Sequence, residues 1–160
     1  MEGLIAIFDY QNETVKKVIE AIKFGFNRNL VTEVLAGWKL PRAYRKFVLV
    51  PVPLHWRREN WRGFNQAELM AGQLGESGGE MTKGLVRVKA TKQQAKAEKR
   101  RVRSENMKEA FGLSKEGRRL VGKQIILVDD VFTSGATMRE CARELRKAGV
   151  KEVWGLVLAR

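Results

Sequence analysis

Asp129 and Asp130 stand together after the apolar run Gln124-Ile125-Ile126-Leu127-Val128, and Val131-Phe132-Thr133-Ser134-Gly135-Ala136-Thr137 follows them. Carboxylates accept hydrogen bonds from hydroxyls and hold hard cations through oxygen or water. Thr133, Ser134, Gly135, Ala136 and Thr137 lack bulk, so their backbone N–H groups can close on an anion, while Gly135 tolerates positive φ and the hydroxyls add donors. Met138, Cys141, Ala142 and Leu145 then recur at helical spacing. The segment therefore reads strand, loop, helix, and the helix adds its free N–H groups and dipole to the anion site. A phosphate alone would not want two acids beside it. The combination fits a ligand that also offers hydroxyls and a divalent metal, such as a ribose phosphate with Mg²⁺. Adjacent residues of a strand point oppositely, so the two acids share one job only if the strand has already ended.

Two further groups lie upstream. Pro51-Val52-Pro53-Leu54-His55 precedes Trp61-Arg62-Gly63-Phe64-Asn65-Gln66. Arg62 offers a fork of donors beside flexible Gly63, and Asn65 either caps a helix or presents its amide to a ligand. From Arg87 the pattern Arg-x-x-x-Thr-x-x-Gln leads through Arg100 and Asn106 to Ala110-Phe111-Gly112. Lys92, Lys96, Lys99 and Arg100 lie about one helical turn apart, a basic face able to track nucleic-acid phosphates together with Arg101 and Arg103. Arg100, Arg101 and Arg103 can equally close over a bound diphosphate as a lid, and a solvated charged helix is the third reading. His55 is the sole histidine, and the tryptophans around it favour packing or phosphate contact over general-base work. Trp56 and Trp61 suit either base stacking or packing.

The elements that must position these residues follow from pattern. Asn12 caps a helix bearing Val15, Val18, Ile19, Ile22 and Phe26 on one face, and Leu30, Val31, Val34, Leu35 and Trp38 suggest a second. Residues 1–45 thus form a helical lead-in, which is also the only segment left to serve as a hood over a ligand. Phe47 to Pro53 reads as a buried strand stopped by its prolines. Asn65 starts a helix with Ala67, Met70, Ala71 and Leu74 inward, and strand-like Leu85-Val86-Arg87-Val88 follows. The last third returns to strand 124–128, helix 136–148, a stop at Gly149 and strand 152–158. Strands and helices alternating in this way predict one α/β domain over residues 1–160, with a parallel twisted sheet and helices on both faces. Ligands of such sheets bind beyond the carboxyl ends of the strands, where Pro51 and Asp129 would meet.

Composition narrows the partners. A net charge of +13 and a pI near 10.2 attract polyanions such as nucleic acid, anionic membrane or polyphosphorylated metabolites. The single cysteine, Cys141, falls on the core stripe of its helix, which leaves no disulfide within the chain and no cysteine-rich zinc site. The short run Leu4-Ile5-Ala6-Ile7-Phe8, between Glu2 and Asp9, lacks the basic leader and cleavage site of a signal peptide. No stretch approaches the roughly 20 apolar residues of a membrane span, so a cytoplasmic protein is expected.

From its apolar strand through its acid pair to Thr137, the chain resembles the phosphoribosyltransferase family. The usual family loop has two threonines before the glycine, and Ser134 keeps the hydroxyl. Adding Arg62-Gly63-Phe64-Asn65-Gln66 and the Arg87 pattern, the chain resembles the ComF family of competence-associated, phosphoribosyltransferase-like proteins from about Tyr10 to Arg160. The resemblance implies a type I-like phosphoribosyltransferase fold that binds phosphoribosyl pyrophosphate or a ribose 5-phosphate with Mg²⁺. Asp129 and Asp130 would then address the ribose hydroxyls and the metal. Residues 133–137 would hold the 5′-phosphate, and Arg62 would hold diphosphate with Arg100 of the mobile catalytic loop. It also implies handling of single-stranded DNA beside DNA-uptake helicase machinery. Many relatives begin with a four-cysteine zinc module that this chain cannot build, so no zinc is expected. An active transferase using a nitrogen nucleophile is the alternative function, and a nucleotide-pool sensor is a weaker one. No base-recognising segment is evident, so robust transfer to a free base is not expected.

Overall fold

Ile125, Ile126, Leu127 and Val128 are all fully buried, the mark of a strand covered on both faces. They belong to β5 (Gln124–Val131) in a four-stranded, wholly parallel sheet. Its other strands are β1 (Leu4–Phe8), β2 (Val48–Pro51) and β6 (Glu152–Ala159), in the order β1-β6-β5-β2. Leu127 lies between Val50 of β2 and Gly155 of β6, which sets the register of the centre. The computed structural model describes residues 1–25, 27–76, 78–88 and 110–160.

Strand alternation divides the core in two. On one face Leu49, Ile126, Val128, Leu156 and Leu158 pack with α1 (Glu13–Phe24), α2 (Arg28–Val34) and α4 (Gln66–Gly75) through Ile22, Val31, Met70 and Leu74. On the other, Val50, Ile125, Leu127, Val153 and Val157 meet Met138, Cys141, Ala142 and Leu145 of α5 (Ala136–Lys147). A separate antiparallel pair, β3 (Leu85–Arg87) with β4 (Phe111–Leu113), sends Leu85 and Phe111 into this second core. This is the α/β architecture with helices on both faces that the alternation of elements predicts.

Asn12 caps α1, its Oδ1 accepting from the N–H groups of Thr14 at 2.9 Å and Val15 at 3.4 Å. Three features extend the sequence reading. The helical lead-in also contains a strand, since Leu4–Phe8 pairs with β6 from Leu4 opposite Gly155 to Phe8 opposite Ala159. The charged segment α3 (Trp56–Arg62) is helical, held at its start by His55 and closed at Gly63, whose φ of +79° suits a residue without Cβ. The third is β5 itself, which runs three residues past Val128 because Asp129 and Val131 keep register with Val157 and Ala159 of β6. Among the described residues, no helix is long and apolar enough to cross a membrane.

Candidate functional site at the carboxyl edge of the sheet

Because the four strands are parallel, the ends of β2 and β5 and their following loops share one edge. Both acids lie inside β5, whose alternation starts their side chains on opposite sides of the sheet, yet at this strand end the two carboxyl groups still interact with one another. Asp130 is buried on the α1/α4 side, where its Oδ2 accepts from Gln66 Nε2 at 2.9 Å and pairs with Lys23 Nζ at 3.2 Å. Asp129 is half-buried and has no ion pair among the described residues; its Oδ1 accepts only from the backbone N–H of Asp130, at 2.9 Å. Burial of the carboxyl, followed by the negative charge of Asp130, pushes Asp129 up to about 8.

After Asp130 the chain turns through Thr133, which is exposed, and Ser134, which is half-buried, to Gly135. Gly135 has φ +70° and leads directly into α5. A Cβ there would collide with the Phe132 ring and the Arg139 guanidinium, so both backbone conformation and space require glycine. The loop is braced from outside, with Arg139 donating to the Ser134 carbonyl. Ser134 Oγ accepts from the Ala136 N–H at 3.4 Å, and the Arg160 guanidinium lies 5.9 Å from the Phe132 ring centre. Ala136 and Thr137 form the half-buried first turn of α5. The five residues expected to cradle an anion therefore span a loop that ends at left-handed Gly135 and the first turn of a helix of 12 residues.

Arg62, the last residue of α3, points inward and is 8% exposed. Its Nη1 donates to Gln66 Oε1, while Nε is buried with no hydrogen-bond partner among the described residues. Burial lowers the Arg62 pKa and the charge of Asp130 opposes that shift. Of the two roles open to Asn65, the structure shows the cap: Oδ1 accepts from Ala67 N–H at 3.0 Å and Nδ2 donates to Val52 O at 3.1 Å. His55 likewise caps a helix, its Nδ1 accepting from Arg57 N–H at 3.3 Å. Desolvation, then Arg87, Arg57 and Arg58, holds the imidazole below its usual range, consistent with a neutral ring that accepts. Among the described residues there is no cis peptide, so Pro53 is trans.

Lys23 and Gln66 are site residues that the sequence reading does not assign. Gln66 had a signal, its place in Arg-Gly-Phe-Asn-Gln; Lys23 had none beyond its charge. Trp56 and Trp61 on α3 are 59% and 58% exposed, with Arg57 stacked 5.2 Å from the Trp56 ring and Phe24 edge-on to Trp61 at 6.4 Å. An apolar cavity of about 210 Å³ lies between the start of α1 and the ends of β1 and β6, lined by Phe8, Val15, Val18, Ile19, Val34 and Leu158 with Thr14. Lys92, Lys96, Lys99, Arg100, Arg101 and Arg103 lie outside the described residues. Among the described residues no group of three or more His, Cys, Asp or Glu side chains is placed to hold a metal.

Comparison with known proteins identifies the family. A family model described as Phosphoribosyl transferase domain matches residues 61–160. The chain is 38% identical over 125 residues to Competence protein F of Haemophilus influenzae, covering 76% of this chain and 52% of that protein. It is 32% identical over 148 residues to Competence protein ComFC of Bacillus subtilis, covering 90% of this chain and 58% of the relative. The chain thus spans little more than half the length of these two relatives. DNA utilization protein YhgH of Salmonella typhimurium is 32% identical over 170 residues, covering 97% of this chain and 71% of that protein. A solved structure described as that of the allosteric regulatory enzyme of purine biosynthesis aligns with a TM-score of 0.52 at 19% identity. That alignment spans 88% of this chain and 30% of the enzyme, a likeness of fold alone. The family model over residues 61–160 and these relatives agree: this chain belongs to the phosphoribosyltransferase family, in its ComF branch.

Proposed function

We propose that the edge formed by β2, β5 and the 133–137 loop binds phosphoribosyl pyrophosphate or a ribose 5-phosphate with Mg²⁺, in a protein that handles single-stranded DNA during uptake. The observation that carries the reading is left-handed Gly135 at the start of α5, four residues after a strand whose end carries two acids. Backbone N–H groups and the helix dipole hold the phosphate, and Thr133, Ser134 and Thr137 add hydroxyl donors. Asp130, whose Oδ2 is already shared by Gln66 and Lys23, accepts from a ribose hydroxyl through Oδ1. Asp129, with no ion pair among the described residues, is the carboxylate that suits Mg²⁺, which keeps several waters and is bound through one or two carboxylates plus ligand phosphates. Bound there, the ion neutralises charge on the ligand's phosphate oxygens. Isothermal calorimetry with and without Mg²⁺ tests the reading, which fails if folded protein gives no heat with either ligand at millimolar concentration.

The DNA part rests on the exposed aromatics. Trp56 and Trp61 beside Arg57 and Arg58 combine stacking faces with cations, the pairing that binds single strands without sequence preference. The names of the curated relatives, competence and DNA utilization proteins, point the same way. Fluorescence titration with an oligonucleotide should show log affinity falling by about 0.7 per neutralised phosphate for each log unit of salt. Replacing Trp56 or Trp61 with Ala should cost about 1–3 kcal/mol of binding if each stacks a base. A flat salt response would remove nucleic acid from the account.

Transfer to a nitrogen nucleophile is the alternative. It needs a group that holds the nucleophile beside the anomeric carbon, a positioning effect worth about 7–11 kcal/mol. The cavity under α1 is built almost wholly from residues 1–45 but offers a base little polar recognition. A screen of free bases and amines, following diphosphate release and the new glycosidic product together, decides between scaffold and transferase.

A further inference from the structure

We propose that Lys23 and Gln66 are positioning residues of the ribose-phosphate site, acting through Asp130, and that α1 is thereby a working part of that site. The inference rests on the ribose-phosphate reading above and adds how its second carboxylate is aimed. Lys23, in the last turn of α1, and Gln66, in the first turn of α4, both address the same oxygen of Asp130, at 3.2 and 2.9 Å. Oδ1 has no hydrogen bond or ion pair to a donor among the described residues, and the Asp129 carboxyl lies beside this group. Two donors converging on Oδ2 fix the plane of the carboxylate and reserve the other oxygen for a hydroxyl.

The residue type at position 66 follows from its neighbours. Gln66 stands between the pure donor Arg62 and the pure acceptor Asp130, and only an amide satisfies both at once. Glutamate would repel Asp130, and lysine would repel Arg62. Because Arg62, Gln66 and Asp130 are all buried, the relay has little water to substitute for a lost member. Lys23 is different, since its side chain is 27% exposed, and a partly exposed ion pair adds little to stability. Its placement is better explained by what it does to Asp130 than by what it adds to the fold.

The experiment compares inorganic phosphate, which reads the 133–137 loop alone, with ribose 5-phosphate, which also reads Asp130. Calorimetry is run with Mg²⁺ on the wild type, Lys23→Met, Lys23→Arg and Gln66→Leu. Lys23→Met and Gln66→Leu should each weaken ribose 5-phosphate about tenfold, as lost coupling within one hydrogen-bonded network does. Inorganic phosphate should bind them as it binds the wild type, and Lys23→Arg should recover most of the sugar-phosphate affinity. Unchanged ribose 5-phosphate binding in Lys23→Met overturns the proposal, and so does equal weakening of both ligands, which marks general damage. Should the wild type itself bind neither ligand, the ribose-phosphate reading fails, and these roles fail with it. The relay is judged separately by thermal unfolding of Lys23→Met, Arg62→Met and the double variant. Non-additive shifts are expected, and strict additivity would overturn the relay whatever the ligand does.

Discussion

Asp129 and Asp130 are neighbours in the chain and feel one another's charge, but they differ in their partners. Strand alternation turns Asp130 toward α1, α3 and α4, where Lys23, Gln66 and, through Gln66, Arg62 surround it. It turns Asp129 toward α5 and the β3–β4 pair, where its only hydrogen bond among the described residues comes from the next peptide N–H. The charge balance differs accordingly. Asp130 is compensated before any ligand arrives, whereas burial and Asp130 itself push Asp129 up to about 8. Cys141, beneath Asp129 on the same side, is raised well above its ordinary range by burial first and then by that acid. A pair that looks redundant as letters is thus one carboxylate committed to Lys23 and Gln66 and one with no ion pair among the described residues.

The sharpest way to break this comparison is to neutralise each acid in turn, with effects of opposite sign expected. Asp130→Asn removes the charge facing Lys23 and the Arg62–Gln66 relay, and should cost about 2–3 kcal/mol in urea unfolding at neutral pH. Asp129→Asn removes a group whose folded pKa, about 8, lies above its ordinary value of 3.8. Between those values the folded state holds a proton that the unfolded state has released, so wild-type stability falls as pH rises through the window. The variant lacks that loss. Its stability relative to wild type should grow from about pH 4 to about pH 8 and level off beyond. Two destabilised variants with parallel pH profiles would erase the distinction between the acids.

Much of this frame was legible as sequence, for identifiable reasons. The caps at Asn12 and Asn65 and the stripes of α1, α4 and α5 carry their signal locally, in short polar residues and in spacing. What stayed hidden depends on partners. The apolar run Leu4–Phe8 is too short for periodicity to separate strand from anything else, and only its register against β6 makes it β1. Helix α3 is hydrophilic apart from two outward tryptophans, so it has no stripe to read. The end of β5 was placed at Val128 because apolar character stops there, yet ladder hydrogen bonds belong to the backbone and continue through the acids to Val131. That extension is what gives the two acids different partners. Gln66 and Lys23 meet Asp130 only after three separate elements have packed, which no spacing rule reports.

A smaller effect is expected at the loop that both carboxylates flank. Gly135→Ala forces a Cβ into the left-handed region, at about 1–2 kcal/mol. It also pushes that Cβ against the Phe132 ring and Arg139. Unfolding should register that loss, and inorganic phosphate and ribose 5-phosphate should weaken together because the turn serves the phosphate common to both. Loss of the sugar phosphate alone would move the anion away from this loop and onto the Asp130 side.

The smallest effect should come from Asn65, which separates support of the Asp130 face from contact with a ligand. Its Oδ1 caps α4, and its Nδ2 donates to Val52 O, tying the start of that helix to the end of β2. Asn65→Ser keeps an oxygen for the cap but is too short to reach Val52, so the expected cost is one hydrogen bond, about 1 kcal/mol of stability. Ribose 5-phosphate affinity should then change by less than the loss caused by Lys23→Met, because Gln66 remains on α4 beside Asp130. A fall in affinity as large as that of Lys23→Met, with stability unchanged, would mean that Asn65 releases Val52 and turns its amide to the ligand. The Asp130 face would then be a contact surface as well as a support, and the contrast with Asp129 would narrow to charge alone.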